Sequence, residues 1–95
     1  MRRFEFAPSA NADLVEIHER IAQQDAVTAS LVAGRIEETV ESLCVFPEMG
    51  KQTKREGVWV FGGTARNPFR VTYRFNKNTV TVMRIFRASR NDIQF

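Results

Sequence analysis

The chain has 95 residues, of which 43% are hydrophobic, and its 14 Lys/Arg against 11 Asp/Glu give a net charge of +3. This length allows one modest core, so we expect residues 1–95 to form a single domain. No apolar run reaches the roughly 20 residues that cross a bilayer, and no signal-peptide segment follows the basic start, so we expect a cytoplasmic protein without a membrane partner. Cys44 is the only cysteine, which excludes an intrachain disulfide, and nothing in the sequence predicts a metal site or a cofactor.

Charge is unevenly distributed along the chain. Residues 1–50 contain 4 Lys/Arg and 9 Asp/Glu, whereas residues 51–95 contain 10 Lys/Arg and 2 Asp/Glu. A basic segment with so few carboxylates attracts an anionic partner, such as a nucleic acid, a ribonucleoprotein or an acidic protein segment. The alternative is a solvated cationic surface that only serves solubility.

The first half of the chain predicts a strand and two helices. Arg2–Phe6 alternates as a strand does, and Ser9 is the expected N-cap of the first helix. A break at 23–25 separates the two helices, and Pro47 ends the second one. Gly34 lies inside the second helix, where we expect it to allow a close approach of the first. The apolar residues at helical spacing are Ala10, Leu14, Ile17 and Ile21 in the first helix, and Ala29, Val32, Ile36, Val40 and Leu43 in the second.

The chain after the helices predicts a loop and a strand. Gly50 supplies a turn, and Lys51–Glu56 is predicted to be a polar, basic loop. Val58–Phe61 is rich in β-branched and aromatic residues and is therefore predicted to be a strand, which Gly62 and Gly63 end.

The stretch Phe69–Phe86 predicts a β-hairpin. Apolar and polar residues alternate up to a turn at Asn76–Asn78, which is typical of strands with one buried face. A three-residue turn sets Arg70 opposite Arg84 on the solvent face, whereas a two-residue turn directs Arg84 into the core. We expect the first arrangement because a buried, unpaired guanidinium is costly.

Together these elements predict an α+β fold. We expect an N-terminal strand, a helical hairpin and a three-stranded antiparallel meander, with both helices packed on one face of an antiparallel sheet. Cys44 is expected to pack as a small hydrophobic residue at the end of the second helix.

Few side chains in this sequence suit proton transfer. His18 is the only histidine and lies on the acidic first helix, where a surface position is expected. Tyr73 is the only tyrosine and falls on the core face of its strand. Glu37, Glu38 and Glu41 are expected to form a solvated helix face. Since acid–base cleavage needs a positioned proton acceptor and donor, the sequence favours binding over cleavage.

Cations are the remaining candidates for a functional site. Arginine binds phosphates and carboxylates in a bidentate manner and stays protonated near neutral pH. Such residues bind anions well but are poor general acids or bases. The candidates are Lys51, Lys54, Arg55, Arg66, Arg70, Arg74, Arg84, Arg87 and Arg90.

Several short motifs resemble those of the RelE/ParE superfamily of bacterial type II toxins. Phe6–Leu14 is similar to the start of the family's first helix, and Leu43–Gly50, "LCVFPEMG", to the end of its second. Asn67–Phe75, "NPFRVTYRF", resembles a family strand, and Val82–Phe86 resembles the last one. Ser89–Phe95 is similar to the family's terminal motif. The order and spacing of these motifs cover nearly the whole chain.

The resemblance implies two alternative activities. The RelE branch contains ribosome-dependent mRNA endonucleases, and in that case the matching residues would be Lys51, Lys54, Arg70 and Arg90. However, Ser89 and Gln94 stand where that branch has its proton-transferring histidine and tyrosine. The ParE branch poisons DNA gyrase without that catalytic set, so the resemblance favours a ParE-like toxin that arrests growth by binding.

The resemblance also implies partners and a binding set. A cognate antitoxin is expected, namely a small dimeric DNA-binding protein with a flexible segment that wraps around the toxin. The other partner is DNA gyrase or, alternatively, the ribosome with its mRNA. The residues expected to bind the target or partner are Arg66, Arg70, Arg74, Arg84, Arg87, Arg90 and Phe95.

Overall fold

A computed structural model describes residues 2–64 and 68–87. Within them, two helices pack against a five-stranded sheet with the strand order β1-β5-β4-β3-β2. The predicted α+β fold, helical hairpin and antiparallel meander are confirmed. The elements are β1 (Arg3–Phe6), α1 (Pro8–Ala22), α2 (Ala26–Val45), a 3₁₀ turn (Pro47–Met49), β2 (Lys51–Gln52), β3 (Trp59–Gly62), β4 (Phe69–Phe75) and β5 (Thr79–Arg87).

The sheet differs from the prediction at both of its edges. Strand β1 pairs in parallel with β5, so the sheet is mixed rather than antiparallel. Residues Lys51–Gln52 form strand β2 and pair with Val60 and Trp59 of β3, where the sequence predicted only a loop. Two residues are too few to show an alternating pattern, and β2 is therefore defined by its partner strand.

The predicted register of the β4–β5 hairpin is wrong. Asn76 Oδ1 accepts hydrogen bonds from the backbone N–H groups of Asn78 (2.8 Å) and Thr79 (2.9 Å). This side-chain-stabilised turn is longer than the predicted one and pairs Phe75 with Val80. Arg70 consequently lies opposite Phe86 rather than Arg84.

A bulge at Met83 then changes the phase of β5. Tyr73 pairs with Val82, whereas the adjacent Thr72 pairs with Arg84, so that Met83 is an extra residue on the β5 side. A bulge of this kind shifts which residues face each side of the sheet. It allows Val82 and Ile85, which are three positions apart, to be buried on the same face.

The two helices begin in different ways. Helix α1 begins at Pro8 after Ala7, and the predicted N-cap Ser9 instead donates its hydroxyl to the Met83 carbonyl oxygen at 2.8 Å. Asp25 caps α2 by accepting hydrogen bonds from the backbone N–H groups of Val27 and Thr28. The hydroxyl of Thr28 also donates to the Asp25 carboxylate, and these hydrogen bonds lower the pKa of Asp25.

The core lies between the helices and the sheet. As predicted, Cys44 is buried there, and desolvation raises the pKa of its thiol. Tyr73 is also buried, as the alternation in β4 predicted. The buried cluster comprises Ala10, Ile36, Val40, Leu43, Cys44, Val71, Tyr73, Val80, Val82 and Ile85.

Gly50, rather than Gly34, is the glycine at a close approach. A Cβ on Gly34 would meet nothing within 4 Å, so the predicted tight helix contact is wrong. At Gly50, a Cβ would collide with the Tyr73 hydroxyl and lie 2.6 Å from the Val60 carbonyl oxygen. Gly50 therefore lets the chain after α2 pass close to the sheet.

Candidate partner-binding surfaces

The sheet has one face covered by the helices and one open face. Val71 and Tyr73 of β4 are buried beneath the helices, so the residues between and beside them point to the other side. Strand pairing extends this assignment across the sheet. The open face is defined by Arg3 and Glu5 of β1, Lys51 of β2, Val60 of β3, Arg70, Thr72 and Arg74 of β4, and Thr81, Arg84 and Phe86 of β5.

Cations dominate the open face. Among the strand residues that the structure describes, register places one carboxylate, Glu5, on this side. The Glu5 carboxylate accepts a hydrogen bond from the Thr81 hydroxyl at 3.4 Å. The cations on the open face are Arg3, Lys51, Arg70, Arg74 and Arg84.

Arg84 is engaged by helix α1 at the edge of the sheet. Its Nε and Nη2 donate to the two carboxylate oxygens of Asp13 at 2.8 and 3.1 Å. The backbone N–H of Ile85 also donates to Asp13 at 2.9 Å. The Arg84 side chain holds the pKa of Asp13 below its ordinary value, while partial burial opposes this shift. The Arg84 guanidinium therefore connects α1 to β5, and its role in binding a partner stays a prediction.

Arg70 and Arg74 occupy the middle of the open face. The Arg70 guanidinium lies over the Phe86 ring, 5.4 Å from its centroid, which is a cation–π geometry. Arg74 is exposed. A Cβ built on Gly57 would lie 3.7 Å from Arg74 Nη1, so the β2–β3 loop passes beside this guanidinium.

The opposite side of the molecule carries a groove between the helices and the edge of the sheet. Its volume is about 830 Å³, and its walls combine apolar and cationic side chains with one acidic residue, Glu38. Arg87 was predicted to bind a partner, and it lines this groove rather than the open face. The apolar walls include Val32, Ile36, Met49, Phe61 and Phe69, and the cations are Arg20, Arg35 and Arg87.

The two side chains considered for proton transfer lie away from the open face. Tyr73 is fully buried; its hydroxyl donates to the Pro47 carbonyl oxygen at 2.5 Å and accepts from the Gly50 N–H at 3.2 Å. Burial raises the pKa of Tyr73, which makes it a weaker acid. His18 is exposed on α1, where it lines a small pocket with Leu14. Both positions agree with the sequence analysis.

Some predicted site residues are not described. Arg66, Arg90 and Phe95 lie outside the described residues, as do Ser89 and Gln94. Lys54 is exposed in the β2–β3 loop.

Two parts of these surfaces were not among the predicted site residues. Arg3 was not predicted, although the alternation in β1 places it on the face opposite Phe4. Arg20 and Arg35 were not predicted either, because they line the groove only once the helices are packed.

Metal-binding groups and membrane-spanning helices were also sought in the described part of the chain. Residues 2–64 and 68–87 contain no group of three or more side chains placed to hold a metal ion. Neither helix in these ranges has the length and apolar character needed to cross a bilayer. The described residues form a small α+β domain with one cationic sheet face and one largely apolar groove.

Comparison with known proteins identifies the family. A family model described as "ParE toxin of type II toxin-antitoxin system, parDE" matches residues 4–92. The chain therefore belongs to the ParE toxin family, within the RelE/ParE superfamily.

The fold is also found in a solved structure. The structure of the chromosomal ParDE TA system from P. aeruginosa contains a chain that is 23% identical, with a TM-score of 0.78. The match covers 94% of this chain and 98% of that one, so the two share the whole fold. A search of curated protein sequences found no match.

Proposed function

We propose that this protein is the toxin of a type II toxin–antitoxin pair, that it arrests growth by binding and poisoning DNA gyrase, and that a cognate antitoxin neutralises it. Membership of the ParE toxin family supports the toxin assignment. The structure of the open face favours a binding mechanism over a catalytic one.

The position of Tyr73 is the observation that carries this preference. RNA cleavage through the 2′-hydroxyl needs a proton acceptor and a proton donor next to the phosphate. Tyr73 is buried on the opposite side of β4, with its hydroxyl bonded to Pro47, and His18 lies on the outer helix layer. Arg70 and Arg74 can stabilise negative charge, but guanidinium groups do not release protons near neutral pH.

The groove is the proposed site of the antitoxin segment. An amphipathic segment can place its apolar side chains against Met49 and Phe61, while its carboxylates contact Arg35 and Arg87. Such segments fold as they bind and can cover large surfaces. The antitoxin would be a small dimeric DNA-binding protein that contributes this flexible segment.

A gyrase assay tests the toxin activity. Purified wild-type protein is expected to inhibit supercoiling by gyrase and to increase the amount of cleaved DNA, with relief on addition of the antitoxin. Transcripts mapped after induction in cells should remain intact at codons in the ribosomal A site. Normal supercoiling at a large molar excess of toxin would overturn the gyrase proposal. Cleaved transcripts that become intact in Arg90→Ala would instead establish the endonuclease alternative.

A binding titration tests the groove. Arg35→Glu reverses a charge in the groove, and it is expected to weaken antitoxin binding in calorimetry because carboxylates are then repelled. Lys77→Glu is the matched control, since Lys77 is exposed in the hairpin turn outside the groove. Equal losses of affinity in the two variants would place the antitoxin elsewhere.

A further inference from the structure

We propose that the open face binds the phosphate backbone of duplex DNA, so that the toxin holds gyrase-bound DNA directly as well as the enzyme. The biological setting rests on the proposed function, whereas DNA binding itself is a property of this chain alone. The inference depends on how charge is sorted between the two layers of the fold.

The cations of the open face are spread widely rather than clustered. Arg3 lies on β1 at one edge of the sheet and Lys51 on β2 at the other, which is four strand spacings or about 19 Å. Arg70 and Arg74 are four residues apart on β4, or about 13 Å along the strand. Since a major groove is about 12 Å wide, a surface of this size reaches phosphates on both sides of a groove.

The two layers of the molecule carry opposite charge. The open face has Glu5 as its carboxylate among the described strand residues, whereas the helices carry most of the acidic side chains. A polyanion is therefore attracted more strongly to the open face than to the helices, whose six carboxylates outnumber Arg20 and Arg35, and this orients the toxin on approach. The acidic residues of the helices are Asp13, Glu16, Glu19, Glu37, Glu38 and Glu41.

The chemistry of the open face fits phosphates better than an acidic protein. Phe86 is a large apolar side chain on this face and is 37% exposed, and the Arg70 guanidinium lies over its ring. Protein–DNA interfaces are more polar and much more positively charged than protein–protein interfaces. The groove on the helix side, in contrast, has the apolar walls that a protein segment needs.

Fluorescence anisotropy with a labelled 20-base-pair duplex tests the inference. The full chain is titrated at several salt concentrations, and the wild type is expected to bind with a Kd of about 10⁻⁶ to 10⁻⁴ M at physiological salt. Contacts from Arg3, Lys51, Arg70 and Arg74 should give a slope of log K against log salt of about −3 to −4. Arg74→Ala is expected to reduce the magnitude of this slope by about 1.

Lys77→Ala is the matched control for DNA binding. It removes the same charge from an exposed turn position beyond the strands of the open face, and the slope should stay unchanged. An equal loss in Lys77→Ala would mean that net charge, and not this face, drives binding. Absence of duplex binding, or tighter binding to single-stranded RNA of the same length, would also overturn the inference.

A parallel gyrase assay separates the two proposals. A wild type that binds duplex DNA but leaves supercoiling unchanged would remove the gyrase proposal and retain the DNA-binding face. If the wild type inhibits gyrase without binding duplex DNA, and Arg74→Ala inhibits it equally, the DNA-binding proposal is wrong and the gyrase proposal is retained.

Discussion

The two faces of the sheet differ in almost every physical respect. On the helix side, Val71, Tyr73 and Val82 are buried, and among the described residues no charged side chain is buried with them. On the open side, Arg70 and Arg74 come from the same strand as two of these core residues. Alternate residues of a single strand thus contribute to the buried core and to the cationic surface.

Arg84 shows where this division breaks down. Its register places it on the open face opposite Thr72, yet its guanidinium is hydrogen-bonded to Asp13 of α1. Strand β1 ends at Phe6, beside Val82, so α1 contacts the part of β5 that lies beyond it. A cation at this edge position is bound to a helix, whereas Arg74 in the middle of the face is exposed.

The largest expected effect is at Tyr73 on the covered face. Tyr73→Ala leaves a cavity beneath the helices and should lower the free energy of unfolding by about 3–5 kcal/mol. Urea denaturation followed by circular dichroism measures this change. Tyr73→Phe keeps the ring but leaves the Pro47 carbonyl oxygen and the Gly50 N–H without this partner, at a cost of about 1–3 kcal/mol. A loss below about 1 kcal/mol in Tyr73→Ala would contradict the assignment of this face to the core.

A smaller effect is expected at Asp13, on the edge between the two faces. Asp13→Asn should cost about 1–2 kcal/mol at pH 7, because it weakens hydrogen bonds to Arg84 and Ile85. This loss is smaller than that expected for a buried ion pair, because the Arg84 side chain is 57% exposed and solvent screens its attraction to Asp13.

The Asp13 effect should depend on pH in one direction. The pKa of Asp13 is lowered in the folded state from its ordinary value of 3.8, so its carboxylate stabilises the fold above that pH. The contribution is lost as pH falls through the lowered pKa. The difference in unfolding free energy between wild type and Asp13→Asn should therefore be largest near neutral pH and shrink below about pH 4. A difference that grows in acid would show that the Asp13 carboxylate is not stabilised by these contacts.

The smallest effect on stability is expected on the open face. Arg74 is exposed, so Arg74→Ala should change the free energy of unfolding by less than about 0.5 kcal/mol. Thermal denaturation of wild type and variant measures this directly. Together with a reduced salt slope in DNA binding, this result would sharpen the contrast between the two faces. A loss comparable to that of Asp13→Asn would mean that Arg74 also contributes to the fold.

Local patterns in the sequence predicted much of the fold. The alternation in 69–75 placed Tyr73 in the core and Arg70 on the other side, because side chains alternate strictly in a strand. The same pattern could not give the hairpin register. The register depends on two hydrogen bonds to Asn76 Oδ1 and on the bulge at Met83. The bulge separates the buried Val82 and Ile85 by three positions, but Met83 and Phe86 are apolar too, so the pattern in β5 does not locate it.

Features formed by distant residues were the least predictable. The parallel pairing of β1 with β5 and the short strand β2 depend on which strands meet, which the local pattern does not encode. The groove combines Arg35 of α2 with Phe61 of β3, and no motif links them in sequence. The predicted close helix contact at Gly34 was wrong for a related reason, because a glycine in a helical sequence does not indicate whether another backbone approaches it.

The pairing of β1 with β5 has a consequence for the timing of synthesis. The hydrogen bond between Thr81 and Glu5 joins residues that are 76 positions apart, and contacts of such long sequence separation form late and slowly. Chains are made at about 5–20 residues per second, so β1 has to wait several seconds for β5 to be translated. The complete sheet, and with it the open face, can therefore form only after β5 has been translated.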